Sequence, residues 1–272
     1  MSNSINTNVG AMVALSSLRT TQSALNVASK QVQTGYRVAD AMDDASTFSV
    51  AQGIRGNLQA FQAVQGSLAN GVGLGSVTQA ALTNISTLIG NLQAKITQLA
   101  DGSINNNQRT IYAADFTAMV GQISNFITQA NYNGTNLLSA GSADKTFLAD
   151  TAATTLTMTN RAGVATAFST FTGSAVDTAA NATLALTSLA TFNQTVSAAL
   201  GGNAADTRSL QLQSNFVNSI VDATTTGLGA IVDADIGKAS ASVQALQVRQ
   251  QLGIQSLSIA NQQPSVLLGL FR

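Results

Sequence analysis

The sequence predicts a mainly α-helical protein: a long hairpin of helices whose two terminal helices pair as a coiled coil, with a small tip that contains a β-hairpin. Three observations predict this fold. Apolar residues recur with a coiled-coil period at both ends of the chain. Long helix-compatible stretches occupy most of the middle. One middle segment, 138–178, changes to short alternating runs rich in Thr, Ala, Ser and Gly.

The end of the chain, 236–272, predicts a helix with two apolar stripes. The first has the 3-4 spacing of a coiled-coil seam: Ile236, Ala239, Val243, Leu246, Gln250, Gly253, Leu257, Ala260, Pro264 and Leu267. The second recurs every seventh residue: Ala245, Leu252, Ile259 and Val266. Because two stripes leave little of a thin helix for water, partners must cover it on several sides. Burial in its own domain and assembly with other chains both meet this need. We expect the helix to continue past Pro264.

The start of the chain mirrors the end. Leu18, Leu25 and Val32 recur every seventh residue, and Leu15 lies beside them. Neither Pro nor Gly interrupts 11–33, which predicts a helix of about 30 residues, about 45 Å long, that Gly35 ends. Since the two terminal helices bracket the rest of the chain, we expect them to pair with each other in antiparallel orientation.

Between the ends, helices are expected at about 45–99, 107–129, 179–200 and 204–232, with a break or kink at Gly201-Gly202. The glycines from Gly66 to Gly75 predict a bend or close helix packing in the first of these. The segment 138–178 is interpreted as a β-hairpin plus loop, exposed and poor in core residues.

Composition bears on function. The chain has no Cys and no His, which removes disulfides, thiol nucleophiles, Cys/His zinc sites and the usual general base. Only 9% of residues are charged, and each chain end carries bases without acids. Nucleic-acid binding needs denser Lys/Arg clusters, and no stretch resembles a membrane span or a secretory signal peptide. We therefore expect no enzymatic activity, cofactor or metal, and neither nucleic acid nor membrane as a partner.

Two acidic pairs lie at predicted helix junctions. Asp43 and Asp44 precede the second helix, and Asp233 and Asp235 precede the last. Paired carboxylates can serve acid–base chemistry, but each pair lies where a helix needs an N-cap, and no His or Glu accompanies it. We interpret these four carboxylates, with Arg37, as a joint between two modules.

Several spaced motifs resemble bacterial flagellin. The N-terminal ones are Ser4-Ile5-Asn6-Thr7-Asn8, Thr34-Gly35-Tyr36-Arg37-Val38 and Ala41-Met42-Asp43-Asp44-Ala45. Asn133-Gly134-Thr135-Asn136-Leu137-Leu138 resembles the family's turn into its variable region. The C-terminal ones are Asp233-Ala234-Asp235, Ser258-Ile259-Ala260-Asn261-Gln262-Gln263-Pro264 and Leu270-Phe271-Arg272. The resemblance covers both ends of the chain and both flanks of its middle.

The resemblance implies a structural subunit of the bacterial flagellar filament that supports swimming motility. Such a chain would be exported unfolded to the outside of the cell without a cleaved signal peptide. Its ends would be disordered in the free monomer and would form an inner coiled coil on assembly. The implied partners are further copies of the chain, the hook–filament junction protein, the filament cap, the flagellar export apparatus and an export chaperone.

The predicted organisation has three parts: an inner coiled-coil domain of 1–39 and 236–272, a helical-bundle domain of 40–137 and 179–235, and a small variable β-rich tip, 138–178. Assembly contacts are assigned to apolar residues of both terminal helices: Leu15, Leu18, Leu25, Val32, Val243, Leu246, Leu252, Leu257, Ile259, Val266, Leu267 and Leu270. A hook–filament junction protein or a surface adhesin with the same ends is the alternative. Either would show limited or no self-polymerisation.

Overall fold

The computed structural model describes residues 7–269, with side chains as far as Gln262. Within that range the chain forms six helices and one two-stranded antiparallel sheet, which confirms the predicted fold class. The elements are α1 (Val9–Thr34), α2 (Ala45–Ala100), α3 (Asn106–Gln129), β1 (Lys145–Leu148), β2 (Thr155–Met158), α4 (Gly163–Thr172), α5 (Ala179–Val232) and α6 (Ile236–Gly269).

The helix ends follow from local chemistry. Gly35 closes α1 in the left-handed conformation, at φ 75°, where its N–H donates to the carbonyl of Gln31. The Asp44 side chain accepts from the first backbone N–H groups of α2, and Asn105 and Gln108 form a reciprocal capping box on α3. Both α2 and α3 therefore begin and end within one residue of the sequence prediction, and α6 continues through Pro264 as expected.

The chain divides into two compact units: the middle unit, 57–222, and the terminal unit, 1–56 with 223–272. The larger core of the middle unit lies among α2, α3, α4 and α5. Its centre is a group of three phenylalanines, in which Phe171 meets Phe116 edge-on at 5.9 Å and stacks on Phe192 at 6.0 Å between ring centroids. Such aromatic pairs add to the free energy of burial.

A second core cluster of the middle unit joins α2 and α5 to the β-hairpin. It includes Leu68 and Val217 from the helices and Met158 from β2. In the connection after α3, two adjacent residues are buried in different core clusters: Leu137 lies in this cluster and Leu138 in the larger one. The hairpin registers Lys145 with Met158 and Leu148 with Thr155.

The segment 138–178 differs from the sequence interpretation. It contains the predicted hairpin, but it also contains α4, which was expected to be loop, and it is not poor in core residues. Val164 and Phe171 of α4 are buried, as is Met158. The apolar spacing Val164, Phe168, Phe171 is helical, but Thr and Ala around it made the segment look like an exposed loop.

Of the predicted break or kink at Gly201-Gly202, the break is wrong, because α5 is one helix through both residues. The guanidinium of Arg161 packs against the helix there, and a Cβ on Gly202 would lie 2.8 Å from its Nη2. Arg161 also pairs with Asp206 one turn later, at 2.6 Å between Nη2 and Oδ2. This packing offsets the helix-propensity cost of two glycines, about 1 kcal/mol each.

Close packing is confirmed at Gly71, Gly73 and Gly75 of α2 but not at Gly66, where no atom lies within 4 Å of a Cβ. Gly75 lies directly against the Thr207 hydroxyl of α5, with no room for a Cβ. Beside it, the buried Asn203 side chain donates to the carbonyl of Gly75 and to Gln79 Oε1, both at 2.9 Å. Since a buried amide has few alternative partners, this contact fixes the register of α2 and α5 within the middle unit.

Candidate assembly surface

Helices α1 and α6 pack against each other in antiparallel orientation, as predicted. The Asn8 side chain, which caps α1, donates from Nδ2 to the carbonyl of Ala260 at 2.7 Å. Gln250 donates to the Gln22 side chain. Leu18 lies against Gly253, where a Cβ would be 3.3 Å from its Cδ1. As residue numbers increase along α1, those of the contacting residues on α6 decrease, as antiparallel packing requires.

The seam between the two helices follows the 3-4 spacing on both sides. Its partly or fully buried members on α1 are Ala11, Ala14, Leu18, Thr21, Leu25 and Ala28. On α6 they are Ala239, Val243, Leu246, Gln250, Gly253, Leu257 and Ala260. Five predicted assembly residues, Leu18, Leu25, Val243, Leu246 and Leu257, therefore lie partly buried in the seam within one chain.

The remaining predicted assembly residues with described side chains are exposed. Leu252 is 55% exposed and Ile259 64%, and Leu15 and Val32 on α1 are also exposed. Further apolar side chains share this condition: Val9, Met12, Val13, Val27, Val248 and Ile254. We call these exposed apolar side chains, with Ala245, the outer face of the α1–α6 pair. A groove of about 490 Å³ between the helices, lined in part by Ala14, Leu246 and Leu252, adds to it.

Three predicted assembly residues lie outside what the structure describes. Leu270 is beyond the described residues, and the side chains of Val266 and Leu267 are not among the described ones. Their assignment to assembly stays a prediction.

The two predicted junctions meet in the terminal unit. The backbone of Arg37 donates to the carbonyl of Val232 at 2.7 Å, and Ala234 donates to the carbonyl of Gly35 at 2.9 Å. Tyr36 pairs with Asp233 in an antiparallel bridge, and the Arg37 guanidinium donates to the carbonyl of Ile231. The Asp235 side chain caps α6 by accepting from the backbone N–H of Lys238 at 3.0 Å. The segments 35–38 and 231–234, which include Arg37 and Asp233, are thus brought together, and Asp235 caps the start of α6.

A cation that the sequence interpretation missed organises the acidic side of this junction. Lys30 donates to Asp40 at 2.6 Å and to both oxygens of Asp43 at 2.8 Å. The sequence analysis assigned only Arg37 to this joint, and Lys30 was missed because it lies on α1, before the chain reverses at Gly35. Asp40 and Asp43 follow Lys30 by 10 and 13 residues, and no local sequence pattern predicts a contact at these separations.

The charged groups of this cluster shift one another's pKa values. The hydrogen bond from Lys30 holds the pKa of the Asp43 carboxyl below its ordinary value, and the backbone N–H groups of Ala39 and Asp40 lower it further. The pKa of Asp40 is lowered by the same ammonium and by the N–H of Met42. In return, Asp40 and Asp43 raise the pKa of Lys30. The pKa of Asp44 is lowered chiefly by the Thr47 hydroxyl.

The geometry defines a class of protein. Two heptad helices from opposite ends of a chain pair, and apolar side chains of both remain exposed on the outer face, which is typical of a subunit that associates with other chains. Within the described residues there is no cluster of three or more His, Cys, Asp or Glu side chains fit to hold a metal ion. Among the same residues, no helix has the length and apolar character that crossing a bilayer requires.

Comparison with known proteins identifies the family. The bacterial flagellin N-terminal helical region matches residues 5–143, and the bacterial flagellin C-terminal helical region matches residues 197–271. The chain is 35% identical to flagellin FljK of Caulobacter vibrioides over 99% of both chains, and 31% identical to a flagellin of Brucella melitensis over the same shares. A crystal structure of Bacillus cereus flagellin covers 56% of this chain and 88% of its own, at 20% identity and a TM-score of 0.49.

The chain belongs to the bacterial flagellin family. It is a structural subunit of the flagellar filament, and its place is in a polymer of like subunits outside the cell. The predicted family, function class and polymeric state are thereby confirmed.

Proposed function

We propose that filament subunits assemble through the outer face of the α1–α6 pair, and that these helices fold stably only as neighbouring subunits cover that face. One observation carries the proposal: large apolar side chains of both helices stay exposed although the helices are paired. Complete burial of a side chain such as Leu252 or Ile259 contributes about 1.5–3 kcal/mol. A subunit that covers several of them at once gains a large driving force for association.

The pair itself has little to stabilise it. Among the described side chains of α1 and α6, only Ala28 and Ala239 are fully buried, and alanine buries little area. The seam also includes Thr21, Gln250 and Gly253, which are poor seam residues. Long helices that bury so little are marginal in water and gain their stability from packing. This supports folding of the ends that is coupled to assembly.

The three-part organisation follows from this mechanism. We propose that 1–39 and 236–272 form the inner coiled coil of the filament, that 40–137 and 179–235 form the surrounding helical layer, and that 138–178 is a small variable outer part. Arg37, Asp43, Asp44, Asp233 and Asp235 form the joint, supported by the hydrogen bonds that connect 35–38 to 231–234.

The proposed partners beyond the filament follow from family membership. They are the hook–filament junction protein, the filament cap, the flagellar export apparatus and an export chaperone. Export without a cleaved signal peptide, as an unfolded chain, suits termini that have no stable fold of their own. The resulting filament supports swimming motility.

Removal of residues 258–272 tests the mechanism. The truncated chain retains the entire middle unit, so its middle should keep a cooperative unfolding transition and helical circular dichroism. It should not form filaments when heat-dissociated protein is repolymerised and viewed by electron microscopy, whereas the full chain should. Filaments of normal length from the truncated chain would refute the proposal.

A further inference from the structure

The connection between α3 and β1 contains an Asn-Gly dipeptide in a tight turn. Asn133 and Gly134 both have positive φ, 48° and 77°, and Tyr132 and Thr135 exchange two backbone hydrogen bonds of 2.9 Å across them. Two successive residues of positive φ define a type I′ turn, in which Asn-Gly is strongly preferred. The turn thus needs the dipeptide for conformational reasons.

The same dipeptide is chemically vulnerable. The backbone nitrogen of Gly134, unshielded by a side chain, can attack Cγ of Asn133. A C–N bond forms, the nitrogen gives up its proton, and the side-chain amide leaves as ammonia. Water then opens the resulting succinimide to aspartate or isoaspartate. Both residues of the dipeptide are exposed, so water and base have access.

A neighbouring side chain engages the attacking nitrogen. The N–H of Gly134 donates to Asn131 Oδ1 at 2.8 Å. We propose that Asn131 protects Asn133 from deamidation by holding this N–H away from the Asn133 side chain. The attack requires the hydrogen bond to break first, which adds its free energy to the barrier.

Deamidation at this turn would disturb packing in the core of the middle unit. Tyr132 packs over Gly73 of α2, where a Cβ would lie 2.7 Å from its ring. Asn136 donates to the carbonyl of Ile127 at 2.7 Å and thereby caps the end of α3, and the next two residues are fully buried. Isoaspartate would lengthen the backbone of the turn by one carbon atom and place a charge on it. The contacts on both sides would then be displaced.

The other Asn-Gly of the sequence follows the same rule by different means. Asn70-Gly71 lies inside α2, where helical hydrogen bonding engages the backbone nitrogen. Asn133-Gly134 lies outside any helix and depends on the Asn131 side chain for the same protection. Asn70-Gly71 therefore serves as an internal reference for Asn133-Gly134.

The test compares deamidation rates at Asn133 in the folded full-length chain. Wild type, Asn131→Ala, Asn131→Asp and the matched control Asn136→Ala are incubated in mildly alkaline buffer. Peptide mapping by mass spectrometry then follows aspartate and isoaspartate at position 133. Loss of one hydrogen bond in Asn131→Ala should raise the rate about fivefold. Asn131→Asp keeps an acceptor oxygen and should stay near the wild-type rate, and Asn136→Ala, which loosens the turn without touching Gly134, should accelerate it less.

Four results would overturn the proposal. Equal rates in wild type and Asn131→Ala would show that the hydrogen bond gives no protection. An Asn131→Asp rate as high as that of Asn131→Ala, or an Asn136→Ala rate as high, would show that general loosening of the turn controls the reaction. A synthetic peptide of residues 129–137 gives the unprotected rate, and a wild-type chain that matched it would contradict protection even if a variant failed to fold.

Discussion

Lys30 Nζ donates to both carboxylate oxygens of Asp43, at 2.8 Å each, so the C-terminal part of α1 is connected to the loop before α2. Asp43 in turn accepts from the backbone N–H groups of Ala39 and Asp40, at 2.9 and 3.2 Å. One side chain thus connects the end of a helix to the turn that redirects the chain.

Replacement of Lys30 by methionine should weaken assembled filaments. The substitution keeps the length of the side chain but removes the charge that both carboxylates contact. We expect a lower heat-dissociation midpoint for Lys30→Met filaments at neutral pH than for wild type. Arg19→Met, which removes another exposed cation of α1, is the matched control and should change the midpoint less.

The difference in heat-dissociation midpoint between wild-type and Lys30→Met filaments should depend on pH at both acid and alkaline extremes. The pKa values of Asp40 and Asp43 are lowered from 3.8, so their contribution is complete above that pH and is lost as the pH falls below it. The pKa of Lys30 is raised from 10.5, so its contribution is complete below that pH and is lost as the pH rises above it. The difference between wild type and Lys30→Met should therefore be constant between these values and shrink outside them. A difference that peaks at acid pH would contradict the ion pair.

Serine at Leu252 and Ile259 should impair polymerisation while it leaves the monomer unchanged. Both side chains are exposed in the single chain, so their loss costs it little, but the double variant removes apolar area that assembly would bury. We expect the critical concentration for polymerisation, measured by sedimentation, to rise at least tenfold. Serine at the exposed polar residues Gln247 and Gln255 is the control and should leave that concentration nearly unchanged. Equal effects in the two pairs would count against the outer face.

Replacement of two glycines of α2 by alanine should change the free energy of unfolding in opposite directions. A Cβ on Gly75 would collide with Thr207, so Gly75→Ala should lower the free energy of unfolding by about 1–3 kcal/mol. No atom lies within 4 Å of a Cβ on Gly90, which is exposed, so Gly90→Ala should raise stability by about 0.5–1 kcal/mol through helix propensity. Denaturant unfolding measures both. A neutral or stabilising Gly75→Ala would show that the helices are not closely packed there.

Loss of Phe171 should destabilise the middle unit strongly, because its ring is fully buried between those of Phe116 and Phe192. We expect Phe171→Ala to cost about 3–5 kcal/mol in the free energy of unfolding. Phe216→Ala, at a largely exposed phenylalanine of α5, should cost less than about 1 kcal/mol. Similar small losses of stability in both variants would contradict the buried position of α4 and favour the exposed loop that the sequence predicted.

The elements that the sequence predicted well are those with a long, regular signal. The apolar period of α2 and the seam of α6 extend over many turns, so a few interruptions do not hide them. Caps such as Asp44 and Gly35 act on adjacent backbone and could be identified locally. The pairing of the two ends followed from the similarity of their heptads.

The errors arise where distant contacts decide the local structure. Gly201-Gly202 has the local chemistry of a break, yet Arg161, some 40 positions earlier, packs on the helix there. The ten residues of α4 are helical because Phe171 meets rings from α3 and α5, which no short window contains. Lys30 reaches its carboxylates only because the chain reverses after α1. Such contacts depend on the fold and cannot be inferred before it is known.

Hydrogen exchange of the backbone amides in 9–34 and 236–260, compared between monomer and assembled filament, tests coupled folding of the terminal helices most directly. Amides of the middle unit provide the internal reference and should be protected in both states. The terminal helices should exchange quickly in the monomer and at least a hundredfold more slowly in the filament, because neighbouring subunits then cover the outer face. Terminal helices that are already as protected in the monomer as the middle unit would contradict coupled folding.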